Sequence, residues 1–104
     1  MATTITLHRV STRARLVVVG ALELSTRDRF LAEVDAAAGA TMLELDLRRL
    51  DYIDSIGISA LMEANRRAIA STGAKARLLI AEEGPVRRML ELTLLHLTLD
   101  VRIG

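Results

Sequence analysis

The sequence predicts a single α/β domain built on a mixed, mostly parallel sheet that helices cover only in part. Three observations predict it. Short runs rich in β-branched residues and leucine alternate with longer stretches whose apolar residues recur at helical spacing. The first two β-rich runs are close neighbours in the chain, as hairpin partners are, whereas the later runs are separated by helix-length segments, as parallel crossovers require. With 104 residues, 51% of them hydrophobic, the chain is long enough for one core and too short for two, so the expected organisation is one domain over 1–104.

Thr4 to Val10 alternates residue by residue, and after the polar Ser11, Thr12 and Arg13 comes the continuous run Leu16, Val17, Val18, Val19. This reads as an antiparallel hairpin leading into a buried strand that Gly20 ends. Ser25 or Thr26 is positioned to cap a helix whose apolar residues Phe30, Leu31, Val34, Ala37 and Ala38 recur until Gly39. Thr41 to Leu47, with Met42, Leu43, Leu45 and Leu47 apolar, reads as a central strand. A second helix is expected from about Ser55 to Thr72: Ile58, Leu61, Met62, Ala68 and Ile69 form one stripe, Glu63, Asn65, Arg66 and Arg67 face elsewhere, and Gly73 follows. Lys75 to Ala81 is a further strand. Glu82, Glu83, Gly84 and Pro85 open a third helix, with acids near its positive end and proline in its first turn. Val86, Met89, Leu90 and Leu94 are expected to face the core, and Leu97 to Ile103 to form an edge strand.

Composition narrows the function. Aromatic residues make up 2% of the chain and the formal charge is +1 with acids and bases interspersed, which disfavours base stacking and phosphate-backbone binding, so no nucleic acid is expected. Without cysteine there is no thiolate nucleophile or soft metal ligand. Arg13, Ala14, Arg15 and the apolar run to Leu22 resemble the start of a targeting segment, but Glu23 interrupts it and a buried strand is the plainer reading. No window approaches the ~20 apolar residues of a membrane span, so a cytoplasmic protein is expected. His8 and His96 lie far apart with no second ligand at metal spacing. The six glycines form no phosphate-cradling loop. Ser55 has neither a nucleophile-elbow glycine pattern nor a nearby histidine. Neither an enzyme nor a cofactor or metal is expected.

The informative segment is Leu45 to Ile58, where a buried strand passes through a short loop into a helix. In an open α/β sheet, the carboxyl end of a strand is where ligands and partners meet the fold. Ser55 is expected at the N-cap of that helix, with Asp54 able to cap equally well, and Gly57 leaves the first turn open on one side. Asp46, Asp51 and Asp54 superficially resemble a magnesium pocket, but Glu23 is the sole acid near the first strand end and Lys75 begins a strand instead of ending one. The acids read as loop solvation.

Gly20-Ala21-Leu22-Glu23, the strand Leu43 to Leu47, Tyr52-Ile53-Asp54-Ser55-Ile56-Gly57-Ile58 and Pro85-Val86-Arg87-Arg88-Met89-Leu90-Glu91-Leu92-Thr93 together resemble the STAS family, specifically bacterial anti-sigma-factor antagonists. The resemblance covers essentially the whole chain. It implies a four- or five-stranded sheet with helices mainly on one side, and a role as anti-sigma-factor antagonist in transcriptional stress signalling. It implies Ser55 as phosphoacceptor, an anti-sigma-factor serine kinase as partner and a PP2C-type phosphatase that restores the serine. Unphosphorylated Ser55 would allow the chain to sequester the kinase, as a monomer or weak dimer, and so free a sigma factor. Glu23, Asp54, Ser55, Ile56, Gly57, Glu63 and Arg66 are the expected partner-binding residues. Three positions depart from the family pattern: Glu23 stands where aspartate is usual, Ile56 where a second small residue is common, and Leu94 where glycine often ends the third helix. Two other roles fit the same resemblance, a subunit of a bacterial lipid-import ABC transporter and a scaffold subunit of a stress-signalling assembly.

Overall fold

The computed structural model describes residues 2–104. Strands β1 (Thr4–Val10) and β2 (Arg13–Leu22) form the expected antiparallel hairpin, in register from Thr4 opposite Val19 to Val10 opposite Arg13. Ser11, at φ 58°, turns the chain between them. β2 is ten residues long because it serves two parallel neighbours in succession. Its first part pairs with β3 (Met42–Asp46), and its last residues pair with β4 (Leu50–Ile53), from Gly20 opposite Leu50 to Leu22 opposite Ile53. The ladder shifts register at Gly20, whose φ of 111° suits glycine alone and whose added Cβ would lie 2.6 Å from the Ala2 carbonyl oxygen. β5 (Arg77–Ile80) lies parallel to β3, and β6 (Asp100–Ile103) lies parallel to β5 at the far edge. The main path is therefore β1-β2-β3-β5-β6, with β4 beside the end of β2.

Side-chain alternation assigns the two faces of the sheet. Ala14, Leu16 and Val18 of β2, Leu43 and Leu45 of β3, and Leu78 and Ile80 of β5 are buried on one face. Helices α1 (Leu24–Ala36), α2 (Ser55–Thr72) and α3 (Pro85–Leu92) pack there: α1 on β1 and β2, α2 on β3 and β4, α3 on β4, and α1 against α2. The opposite face carries cross-strand charges. Arg15 pairs with Glu44 at 2.6 Å, and Arg77 lies 3.7 Å from Asp100.

Several expectations are corrected. Leu50–Ile53, read as loop, is a strand. Met62 and Ile69, placed in the buried stripe of α2, are 48% and 44% exposed; the stripe that packs is Gly57, Ile58, Ala60, Leu61, Ala64 and Ala68. Small residues recur along that stripe, and α2 packs against both α1 and the sheet. Asn65 is half-buried, and its Oδ1 accepts the N–H of Ala76 at 3.0 Å. Ala38 is exposed, since α1 ends at Ala36. Leu94 does not face the core: at φ 59° and 60% exposed it ends α3 where glycine would do so without strain. The short 3-10 turn Leu95–Leu97 then delays the last strand to Asp100.

The corrected stripe has a measurable consequence. Leu61→Ala should lose about 2–5 kcal/mol of unfolding free energy in urea titration, because Leu61 is fully buried, whereas its neighbour Met62→Ala should change stability by less than about 1 kcal/mol. Equal losses in the two variants would contradict the assignment.

Candidate functional site

Because Leu22 and Ile53 are register partners on parallel strands, the chain leaves β2 and β4 side by side, and both exits run directly into helices. The starts of α1 and α2 therefore lie together at one end of the sheet. At the first, Glu23 is the N-cap, not Ser25 or Thr26. Thr26 is buried: its hydroxyl accepts the Glu23 N–H at 3.1 Å and donates to the Ala21 carbonyl at 2.8 Å. Ser25 is exposed and donates to Glu23 Oε1 at 2.7 Å.

At the second exit, Asp54 caps α2, its Oδ1 accepting the Gly57 N–H at 2.9 Å. Ser55 is thus the first residue of the helix and not its cap, and its side chain is exposed. The extended backbone of Asp54 puts its carboxylate over the first turn, so the aspartate wins the capping position that the sequence left open between the two. Gly57 faces inward and is buried. A Cβ there would come within 2.2 Å of the Leu22 carbonyl oxygen and 2.7 Å of Ile53 Cγ1. Its role is to seat α2 on the ends of β2 and β4 instead of opening access to Ser55.

Glu23, Asp54, Ser55, Ile56 and Gly57 are therefore brought together, while Glu63 and Arg66 lie about 12–16 Å further along α2 at ~1.5 Å per residue. Glu63 accepts from Arg66 and, at 2.9 Å, from Arg67, and Arg67 bridges to Asp35 of α1 at 3.0 Å. The hydrogen bonds from Arg66 and then Arg67 pull the Glu63 carboxyl down to about 2. At the same end of the sheet as Ser55, sequence reasoning missed the exposed apolar residues Leu24, 70% exposed, and Tyr52, 45% exposed, which add to the partly exposed Ile56. Leu24 lies at the first position of α1, and Tyr52 was hidden while Leu50–Ile53 was read as loop.

Of the acids considered as a metal pocket, Asp54 is spent on the cap and Asp51 is exposed. Asp46 is buried and held by Arg48, with Nε donating to Oδ1 at 3.0 Å and Nη2 to Oδ2 at 2.9 Å. The Arg48 hydrogen bond outweighs burial and holds the Asp46 carboxyl below its ordinary range.

A six-stranded mixed sheet with three helices packed on it defines the SpoIIAA-like class of α/β domain. Unphosphorylated SpoIIAA, an anti-sigma factor antagonist, is similar over 97% of this chain and 88% of its own, at 18% identity and a TM-score of 0.80. An anti-sigma factor antagonist from Mycobacterium paratuberculosis is similar over 96% and 85%, at 18% identity and a TM-score of 0.83. The phosphorylated form of the Bacillus cell fate determinant SpoIIAA is similar over 97% and 91%, at 17% identity and a TM-score of 0.69. Residues 5–97 match the family model described as Mlab, STAS domain, and the chain belongs to the STAS domain family. No curated protein matches it in sequence. Among the described residues, no helix is long and apolar enough to cross a membrane.

Three measurements check this geometry. Asp54→Ala should cost about 0.5–2 kcal/mol, while Ser55→Ala, away from the cap, should cost less than about 0.5 kcal/mol. Gly57→Ala should destabilise more than either, because backbone and not a flexible side chain blocks the added methyl. For Asp46, ionisation favours the folded state, so its contribution is present above the ordinary carboxylate range near pH 3.9 and fades as pH falls through the lowered folded value. The stability gap between wild type and Asp46→Asn should therefore be open at pH 7 and close below about pH 4.

Proposed function

We propose that this STAS domain is an anti-sigma-factor antagonist that sequesters an anti-sigma-factor kinase while Ser55 is unphosphorylated, thereby freeing a sigma factor in the cytoplasm. The observation that carries this reading is that Ser55 is exposed at the first position of α2 with no capping duty, because Asp54 performs it. A serine that neither packs nor caps is available as a phosphoacceptor without cost to the fold. Its surroundings suit a protein partner: Leu24, Tyr52 and Ile56 offer apolar area to bury. That SpoIIAA exists in phosphorylated and unphosphorylated forms adds support.

In this mechanism the kinase transfers the γ-phosphoryl group of ATP to the Ser55 oxygen, with ADP as leaving group and loss of the hydroxyl proton, and a PP2C-type phosphatase hydrolyses the phosphoester back to serine and inorganic phosphate. The phosphate adds about 1.5–2 negative charges, which the positive helix start tolerates. The domain stays folded. A partner surface fitted to a neutral hydroxyl and these apolar residues instead meets a hydrated dianion, with Glu23 at the same end of the sheet. Desolvation of that charge opposes docking. Glu63 and Arg66, already paired with each other, sit at the far margin of the contact and tune orientation more than affinity.

The description of the family model as Mlab favours a second reading, in which the same apolar residues hold the ATPase of a lipid-import ABC transporter and phosphorylation plays no part. Calorimetric titration with the anti-sigma-factor kinase separates the two. Ser55→Asp, and wild type phosphorylated at Ser55, should melt close to wild type yet bind at least about tenfold more weakly, a loss of about 1.4 kcal/mol. Ser55→Ala should bind as wild type. Undiminished binding by the phosphorylated protein refutes the switch. Kinase binding absent from all forms, with ATPase binding retained, selects the transporter reading.

A further inference from the structure

Among the described residues, β1 is an edge strand of seven residues that pairs with β2 alone. In a hairpin closed by a two-residue turn, the residues flanking the turn exchange backbone hydrogen bonds, which here makes Val10 and Arg13 a hydrogen-bonded pair. Alternation then turns the backbone groups of Thr4, Thr6, His8 and Val10 toward β2, and those of Thr3, Ile5, Leu7 and Arg9 outward. Thr3 fixes the phase independently, since its carbonyl accepts from Arg29 Nη2 of α1 at 3.0 Å. Among the described residues, no strand lies beside the outward groups of Ile5, Leu7 and Arg9.

Exposed edges are usually blunted by proline, lysine, a bulge or an inward charge. β1 has no proline or lysine, and its register runs unbroken from Thr4 to Val10. Its one permanent charge, Arg9, folds away to cap α1 at the carbonyls of Ala36 and Ala38. We propose that this edge is a homodimer interface, in which two copies pair antiparallel about a two-fold axis through Leu7 and join their sheets into one. Leu7 then faces Leu7, Ile5 faces Arg9, and Thr6 faces His8, with about six new backbone hydrogen bonds from the three outward residues of each copy.

The register follows from charge and from what is already occupied. An axis through Arg9 would oppose two arginines. An axis through Ile5 would place Leu7 opposite Thr3, whose carbonyl Arg29 already holds. Through Leu7, no like charges meet. The edge is about 24 Å long at ~3.4 Å per residue, and one strand pair buries well under the roughly 800 Å² per partner of a stable complex. The dimer is accordingly weak, with a dissociation constant of roughly 10 µM to 1 mM. Antiparallel pairing points the two Ser55 ends in opposite directions and leaves both exposed. The inference stands on the edge geometry and is independent of any role for Ser55.

Sedimentation velocity of wild type across roughly 10 µM to 1 mM should show a reversible shift from monomer to dimer. Thr6 and His8 are exposed, so the double variant Thr6→Lys with His8→Lys should keep its fold by circular dichroism while opposing lysines across the axis, and should dimerise at least about tenfold more weakly. Thr6→Glu with His8→Glu should do the same. An equal mixture of the two should recover association, because each lysine then faces a glutamate. Wild type that stays monomeric throughout, a dimer that the lysine variant leaves unchanged, or a mixture no stronger than its components would each overturn the proposal.

Discussion

The end of the molecule that carries Ser55 depends on one contact, the seat of α2 on the backbone of β2. With no side chain at Gly57, the first turn of α2 rests on the Leu22 carbonyl, and Asp54 pins the same residue through its N–H. A helix turns about 100° per residue, so an inward Gly57 sends Ser55, two residues earlier, to the outer side. The inward-facing glycine and the outward-facing serine are thus one constraint. The register shift of β2 at Gly20 belongs to it as well, because the strand must hand its pairing from β3 to β4 before α2 can begin where it does.

Periodicity made the long elements legible: the hairpin, the three helices and the central strands followed from alternation and helical spacing. What stayed hidden was decided by packing. β4 escaped because Leu50 and Ile53 are buried with Asp51 and Tyr52 exposed between them, a pattern without strand alternation, produced where the chain joins a sheet for four residues beside an irregular ladder. The face of α2 was misjudged because large apolar residues draw attention, whereas close packing of a helix selects small ones, here the buried Ala60, Ala64 and Ala68. The caps were ambiguous for a similar reason. Capping-competent residues adjoin one another at both helix starts, and the one that acts is set by where its strand releases the chain.

The uncovered face of the sheet explains how one bare side is tolerated. Charges alternate across neighbouring strands, from Arg15 to Glu44 and from Arg77 to Asp100, and Val17 and Leu79 on the same face are half-buried among them. Such a face resists stacking on another sheet, since any partner would have to desolvate the ladder. At the β1 edge, by contrast, backbone groups and not side chains meet water.

Charge distribution around α2 bears on why a switch at Ser55 would be read at the interface and not within the fold. The nearest cations along the helix, Arg66 and Arg67, are committed to Glu63 and Asp35 and lie more than about 15 Å away, so they cannot reach a phosphate at the helix start. Asp54 is locked in the cap and Glu23 adds a negative group. Along α2 itself, a phosphate at Ser55 would find only the helix dipole as compensation, worth about 0.3–1 kcal/mol at an exposed site, too little to strip its water. The hydrated dianion would stand proud of Leu24, Tyr52 and Ile56, the apolar residues a partner must cover, and the cost of removing its water would fall on binding instead of on folding.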